Sequence, residues 1–165
     1  MAEVDPNAPL DETLPAGEYL LAMTWFVERQ SPRTKGFYWR MRYEVILPEY
    51  DPARSFFATM PQQLNSAGAR IRWHQWARAA DIDQRFRPER EAHVRRLFLG
   101  KPFRAAVTRE QKGFPGRQYL ANDIGRYLID IDEATRKVAE AWANKFLERG
   151  LEGPGGYSFP ADGDR

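Results

Sequence analysis

FYWRMRYEVIL, residues 37–47, decides the fold. In an extended chain successive side chains point to opposite faces, so Phe37, Trp39, Met41, Tyr43, Val45 and Leu47 share one side of this segment. Tyr38, Arg40, Arg42, Glu44 and Ile46 share the other. A helical period would scatter both sets around an axis. The segment is therefore a strand with a greasy inside and a basic outside, and it needs a sheet that covers one of its faces.

The neighbouring segments supply that sheet. Upstream, EYLLAMTWFVER (residues 18–29) is rich in aromatic and aliphatic side chains and reads as a strand long enough to bend around a barrel. The polar loop QSPRTKG (residues 30–36) joins the two strands. Downstream, after PEYDPAR (residues 48–54), the run SFFATM (residues 55–60) predicts a short third strand ended by Pro61. The period then changes. Asn65 or Ser66 can cap a helix running to about Ala80, in which Ala69, Trp73, Trp76, Ala77 and Ala80 recur at three- and four-residue spacing. Pro88 suits the first turn of a second helix, with Val94, Leu97 and Phe98 inside and Gly100 at its end. KPFRAAVTRE (residues 101–110), the turn QKGFPG (residues 111–116) and RQYLANDIGRYL (residues 117–128) predict a hairpin. The domain thus spans residues 16–128, with three strands, a helical insertion and two more strands.

Two flanks lie outside it. Residues 1–15 form an acidic arm in which Pro6, Pro9 and Pro15 oppose regular structure. Asp132 can cap a C-terminal helix over residues 133–149, where Ala134, Val138, Ala141, Trp142 and Phe146 line one face. Residues 150–165 carry Gly, Pro and acidic side chains and predict a flexible tail.

Composition narrows the chemistry. With 165 residues, 42% hydrophobic and 13% aromatic, the chain has enough apolar surface for one core and is too greasy for disorder. It has no cysteine and only two histidines, His74 and His93, which removes disulfides, thiolate nucleophiles and Cys- or His-rich metal sites. No P-loop, no Gly-x-Ser-x-Gly and no His-Glu-x-x-His occurs. The pairs Asp81/Asp83 and Asp130/Asp132 sit at predicted helix ends, where carboxylates act as caps rather than as metal ligands. An enzyme is the least supported class, and neither cofactor nor metal is expected. The longest apolar stretch, residues 19–27, falls short of the roughly 20 residues that span a bilayer. A cytoplasmic protein without a membrane partner is the expectation.

The net charge of +2 conceals segregation. Residues 16–127 hold twenty Lys and Arg against eleven Asp and Glu, whereas residues 1–15 hold four acids and no base. Most of the bases are arginine, which pairs with phosphate and stacks on flat rings. Charge alone fits an arginine-rich surface as well as a polyanion partner. The aromatics sharpen the choice. Most must be core, but Tyr38 is out of phase on the second strand, Phe56 or Phe57 must point outward on the third, and no core pattern needs Phe114. Bases beside exposed rings are what a single-stranded nucleic acid requires.

Taken together, LPAGEY (residues 14–19), KGFYWRMRYEV (residues 35–45), Arg54, LFLGKPF (residues 97–103) and YLANDIGRYL (residues 119–128) give an ordered set of motifs. In that order and spacing, residues 14–128 resemble short phage-type single-stranded DNA-binding proteins with an OB-fold. The resemblance implies a mainly β protein, a five-stranded OB barrel plugged by a helix, that binds single-stranded DNA with little sequence preference in phage replication or recombination. Its interface would gather Arg33, Lys35, Tyr38, Arg40, Arg42, Arg54, Phe57, Arg104, Lys112, Phe114 and Arg117. Replication or recombination proteins recruited through the C-terminal tail, and a second copy of the chain, are the further partners it suggests. The alternative is an RNA-binding or protein-interaction module on the same barrel. The 133–149 helix lies outside the resemblance.

Overall fold

Alternation of side chains builds a five-stranded antiparallel sheet from β1 (Gly17–Gln30), β2 (Phe37–Leu47), β3 (Asp51–Pro61), β4 (Pro102–Phe114) and β5 (Arg117–Leu128). Among the described residues three helices accompany it: α1 (Ala67–Ala79), α2 (Glu91–Leu97) and α3 (Glu133–Gly150). The computed structural model describes residues 13–49 and 51–150. The acidic arm up to residue 12 and the tail from residue 151 lie outside the described residues. Strand order is β3-β2-β1-β4-β5, which leaves β3 and β5 as the two edges. The sheet is not closed into a barrel.

The alternation read from residues 37–47 sets the register. Trp39, Met41, Tyr43 and Val45 are buried on the inner face with Leu21 and Met23 of β1, Phe56 and Met60 of β3, and Phe103, Ala105 and Val107 of β4. α1 plugs this core. Trp76 is fully buried, and its ring lies 4.4–6.2 Å from those of Phe98, Trp73, Phe103, Tyr43 and Tyr127. Ser66 caps α1 by accepting a hydrogen bond from the Ala69 N–H at 3.1 Å. One indole reaches out of the sheet to fix the helical insertion: Trp39 Nε1–H donates to the Pro88 carbonyl at 2.6 Å.

Several elements differ from the expectation. β3 begins at Asp51 instead of Ser55. α2 begins at Glu91, three residues beyond Pro88, whose carbonyl serves Trp39. The residues expected as a six-residue turn are mostly strand: β4 runs to Phe114 and β5 starts at Arg117, leaving Pro115-Gly116 as the turn. Proline sets its own φ, and Gly116 adopts the positive φ of 85° that the second central position demands. The hairpin thereby becomes a long two-stranded arm, with Gln111 and Gln118 bonded across it at 2.7 Å.

The C-terminal helix belongs to the domain. α3 lays Trp142 and Phe146 on a second core made with Leu20, Ala22 and Ile46, on the face of β1 and β2 opposite the main core. The rings of Trp142 and Phe146 stack with centroids 5.2 Å apart. Gly100, with φ of 74°, brings its backbone against Phe146 so closely that any Cβ there would run into the ring. The outer face of β2, read as its basic outside, is therefore covered at its Glu44–Ile46 end. Both Glu44 and Ile46 are buried because β2 is sandwiched there.

Candidate nucleic-acid interface

Beyond the reach of α3, the outer face of β2 carries Tyr38, Arg40 and Arg42 in alternation, flanked by β1 and β3. Register places Arg40 opposite Thr59 and Val27, and Arg42 opposite Phe57 and Trp25. The Arg40 guanidinium lies over the Phe57 ring, 4.4 Å from its centroid. On the other side Trp25 meets Phe57 edge-on, with centroids 5.9 Å apart and planes at 87°. Arg42 is anchored from beneath: its Nη1 bonds Glu44 Oε2 at 3.0 Å and Thr24 Oγ1 at 3.3 Å. The result is a cluster of two rings, Trp25 and Phe57, with two guanidinium groups among them, and Tyr38 farther along the same face.

Trp25 was not among the expected site residues. Strict alternation along residues 18–29 would send it inward with Leu21 and Met23, but the β1–β2 register shifts between Met23 and Trp25. This bulge leaves Phe26 to pack on the core and pairs Trp25 with Arg42 on the outside. The one signal in the sequence is Thr24, a polar residue interrupting the greasy run. Arg29, which pairs with Tyr38, joins the same face by the same register.

The other expected residues fall into three places. Arg33 and Lys35 are exposed on the loop that closes the β1–β2 hairpin, beyond Tyr38; Lys35 there has a positive φ of 62° and its N–H bonds the Ser31 carbonyl at 2.8 Å. Lys112, Phe114 and Arg117 ride on the β4–β5 arm, where Phe114 is 79% exposed and Tyr119 59%. Lys112 is held 3.7 Å from Asp123. Arg54 and Arg104 stand apart from the outer cluster. Arg54 lies over the ring of buried Tyr19, 6.0 Å from its centroid. Arg104 sits opposite Leu20, toward the end that α3 covers, bonded to the Asp130 carbonyl at 2.6 Å and 3.7 Å from Glu18.

A cleft connects the strand face to the arm. Its walls are residues 55–57 of β3 and 120–122 of β5, with Thr13 at its edge, and it encloses about 320 Å³. Asn122 secures the chain beside it. The Asn122 Oδ1 accepts the Leu14 N–H at 2.8 Å, and its Nδ2 donates to the carbonyls of Leu14 at 2.9 Å and Thr108 at 3.1 Å. This strap sits at the seam where a β3–β5 ladder would close the sheet.

Behind this face the phenols of Tyr43 and Tyr127 are buried, and burial pushes both well above the usual phenol range. They stay neutral and add no charge to the face. Among the described residues no three His, Asp or Glu side chains cluster as metal ligands would. Their helices also show no segment long and apolar enough to cross a membrane. Neither the known protein families nor the curated proteins contain a match to the chain.

Proposed function

We propose that this chain binds single-stranded DNA with little sequence preference, on an OB-type barrel whose β3–β5 seam stays open. The observation that carries the reading is the outer-face cluster of Trp25, Phe57, Arg40 and Arg42, which alternates flat rings with fixed cations. Rings offer stacking to any base, because every base has a π face, while guanidinium groups meet the phosphates between them. Neither contact reads base edges, so the site tolerates any sequence. The strand path runs from the Arg33/Lys35 loop across β2 and β3, over the seam, and along the arm bearing Lys112, Phe114, Arg117 and Tyr119. Sheet order supports the barrel, since β3 and β5 are the strands that an OB closure would bring together. By this reading the chain serves DNA replication or recombination rather than catalysis.

A titration of the full chain against fluorescent oligo-dT at several salt concentrations, with duplex DNA and RNA as competitors, tests the reading. Expected are tight binding to oligo-dT, weak competition by duplex and a steep loss of affinity as salt rises. Equal or tighter binding of duplex DNA overturns it, and preferred binding of RNA moves the function to RNA.

A further inference from the structure

We infer that the seam cleft between β3 and β5 is a subsite for one unstacked nucleobase, distinct from the stacking face on β1–β3. The inference rests on the single-strand reading above and adds to it where a base leaves the stack. Position is the first argument. The cleft lies between Phe57, the ring at the edge of the outer cluster, and Leu120, which follows the exposed Tyr119 on the arm. A strand that touches both surfaces must pass over it.

Size and lining are the second argument. At about 320 Å³ the cleft is at the small end of ligand pockets, which run roughly 300–1,000 Å³, and it suits a single planar ring. Phe56, stacked on Tyr43 with centroids 5.3 Å apart, gives it a rigid apolar wall, and Ala121 leaves the opposite wall short. Its polar lining comes from Thr13, Ser55 and Asn122. The Asn122 amide donates both of its N–H groups to the carbonyls of Leu14 and Thr108, so it has no hydrogen left with which to select a base. The Asn122 amide accordingly leaves the identity of the base unread. The Leu14 strap is held beside the cleft at both its N–H and its carbonyl.

The experiment compares two ligands of equal length, oligo-dT and the same phosphodeoxyribose backbone without bases, on the full chain and on two cleft-filling variants, Ala121→Leu and Ser55→Leu. The variants approach from opposite walls, so one suffices if the other does not fold, and thermal melting identifies which are folded. The expected result is about tenfold weaker binding of oligo-dT by a folded variant, with binding of the abasic backbone unchanged. A variant that weakens both ligands equally, or neither, overturns the subsite. In that case tight wild-type binding to oligo-dT leaves the single-strand reading standing. Failure of the wild type to bind oligo-dT overturns both.

Discussion

The guanidinium of Arg40 rests 4.4 Å from the centre of the Phe57 ring, one strand across from it. Each group holds the other in place on the outer face, yet the two should contribute to binding in different ways. Arg40→Ala removes one phosphate contact, so the slope of log affinity against log salt should shrink by about 0.7, the value for one contact on a single strand. Phe57→Ala removes a stacking ring and should cost about 1–3 kcal/mol of binding with the slope unchanged. Salt-dependent titrations of both variants against oligo-dT measure this. Identical slopes for Arg40→Ala and wild type would remove Arg40 from the phosphate path.

Arg42 differs from Arg40 although they alternate on the same strand face. Its partner Glu44 has no exposed side-chain surface, and Arg42 itself retains 11%. Arg42→Ala takes the guanidinium from a buried carboxylate, which should destabilise the fold by on the order of 3 kcal/mol. The joint change Arg42→Met with Glu44→Leu should recover most of that loss, because it removes the buried charge together with its partner. Urea unfolding of the three proteins checks this. Arg42→Ala at wild-type stability would show that the pair lies in a wetter place than its burial indicates.

The contrast between these two arginines shows what was legible in the sequence. Period two along residues 37–47 placed Trp39 inside and Arg40 and Arg42 outside, and it did so because one face of that strand meets a core of large rings. The helical stripe of Trp73 and Trp76 was equally legible, since three- and four-residue spacing has no other economical reading. The Trp25 position was not. A bulge inserts one residue without any obligatory residue type, so alternation counted from Leu21 sends Trp25 to the wrong side. Burial of Glu44 and Ile46 was hidden for another reason. The element that covers them, α3, lies nearly ninety residues later in the chain, and an amphipathic stripe does not say which surface it will meet.

Docking of α3 gives a direct stability test. Trp142 and Phe146 close the second core over Leu20, Ala22 and Ile46, and Trp142 is 7% exposed. Trp142→Ala should cost about 3–5 kcal/mol and expose apolar surface on β1 and β2. Thermal unfolding in parallel with binding of a hydrophobic dye measures both effects. Loss of α3 helicity in an otherwise unaltered melt would instead make the helix an appendage.

The start of α3 is sensitive to acid. The Asp132 carboxylate accepts the Thr135 N–H at 2.7 Å, and this bond to the backbone, with the Thr135 side chain, lowers its pKa below the usual value. A carboxyl depressed in the folded state contributes stability that is present above its unfolded pKa and is lost as pH falls through the folded pKa. The wild type should therefore lose this contribution below about pH 4, the ordinary Asp value. Asp132→Asn keeps an acceptor for the Thr135 N–H without a titrating charge, so the difference in melting temperature between wild type and variant should narrow in that range. A difference that is constant from pH 7 to pH 3 would show that the cap does not depend on ionisation.

The acidic arm, residues 1–12, carries Glu3, Asp5, Asp11 and Glu12 and no base. Its point of attachment is fixed: Leu14 is bonded to Asn122 through both its N–H and its carbonyl, and Thr13 borders the seam cleft. An arm of four acids that begins at this attachment point should compete with phosphates for the same guanidinium groups. Deleting residues 1–12 should raise affinity for oligo-dT at low salt, where the screening length is about 30 Å at 0.01 M, and the gain should disappear near 1 M, where it is about 3 Å. Deleting residues 151–165 removes three acids and one base, a smaller net charge, so its effect should be smaller. Fluorescence titrations of the two truncations at matched salt separate charge from location. Gains in proportion to the net charge removed, −4 against −2, would mean that only total charge matters, and a loss of affinity on removing the arm would show that these residues contact the DNA themselves.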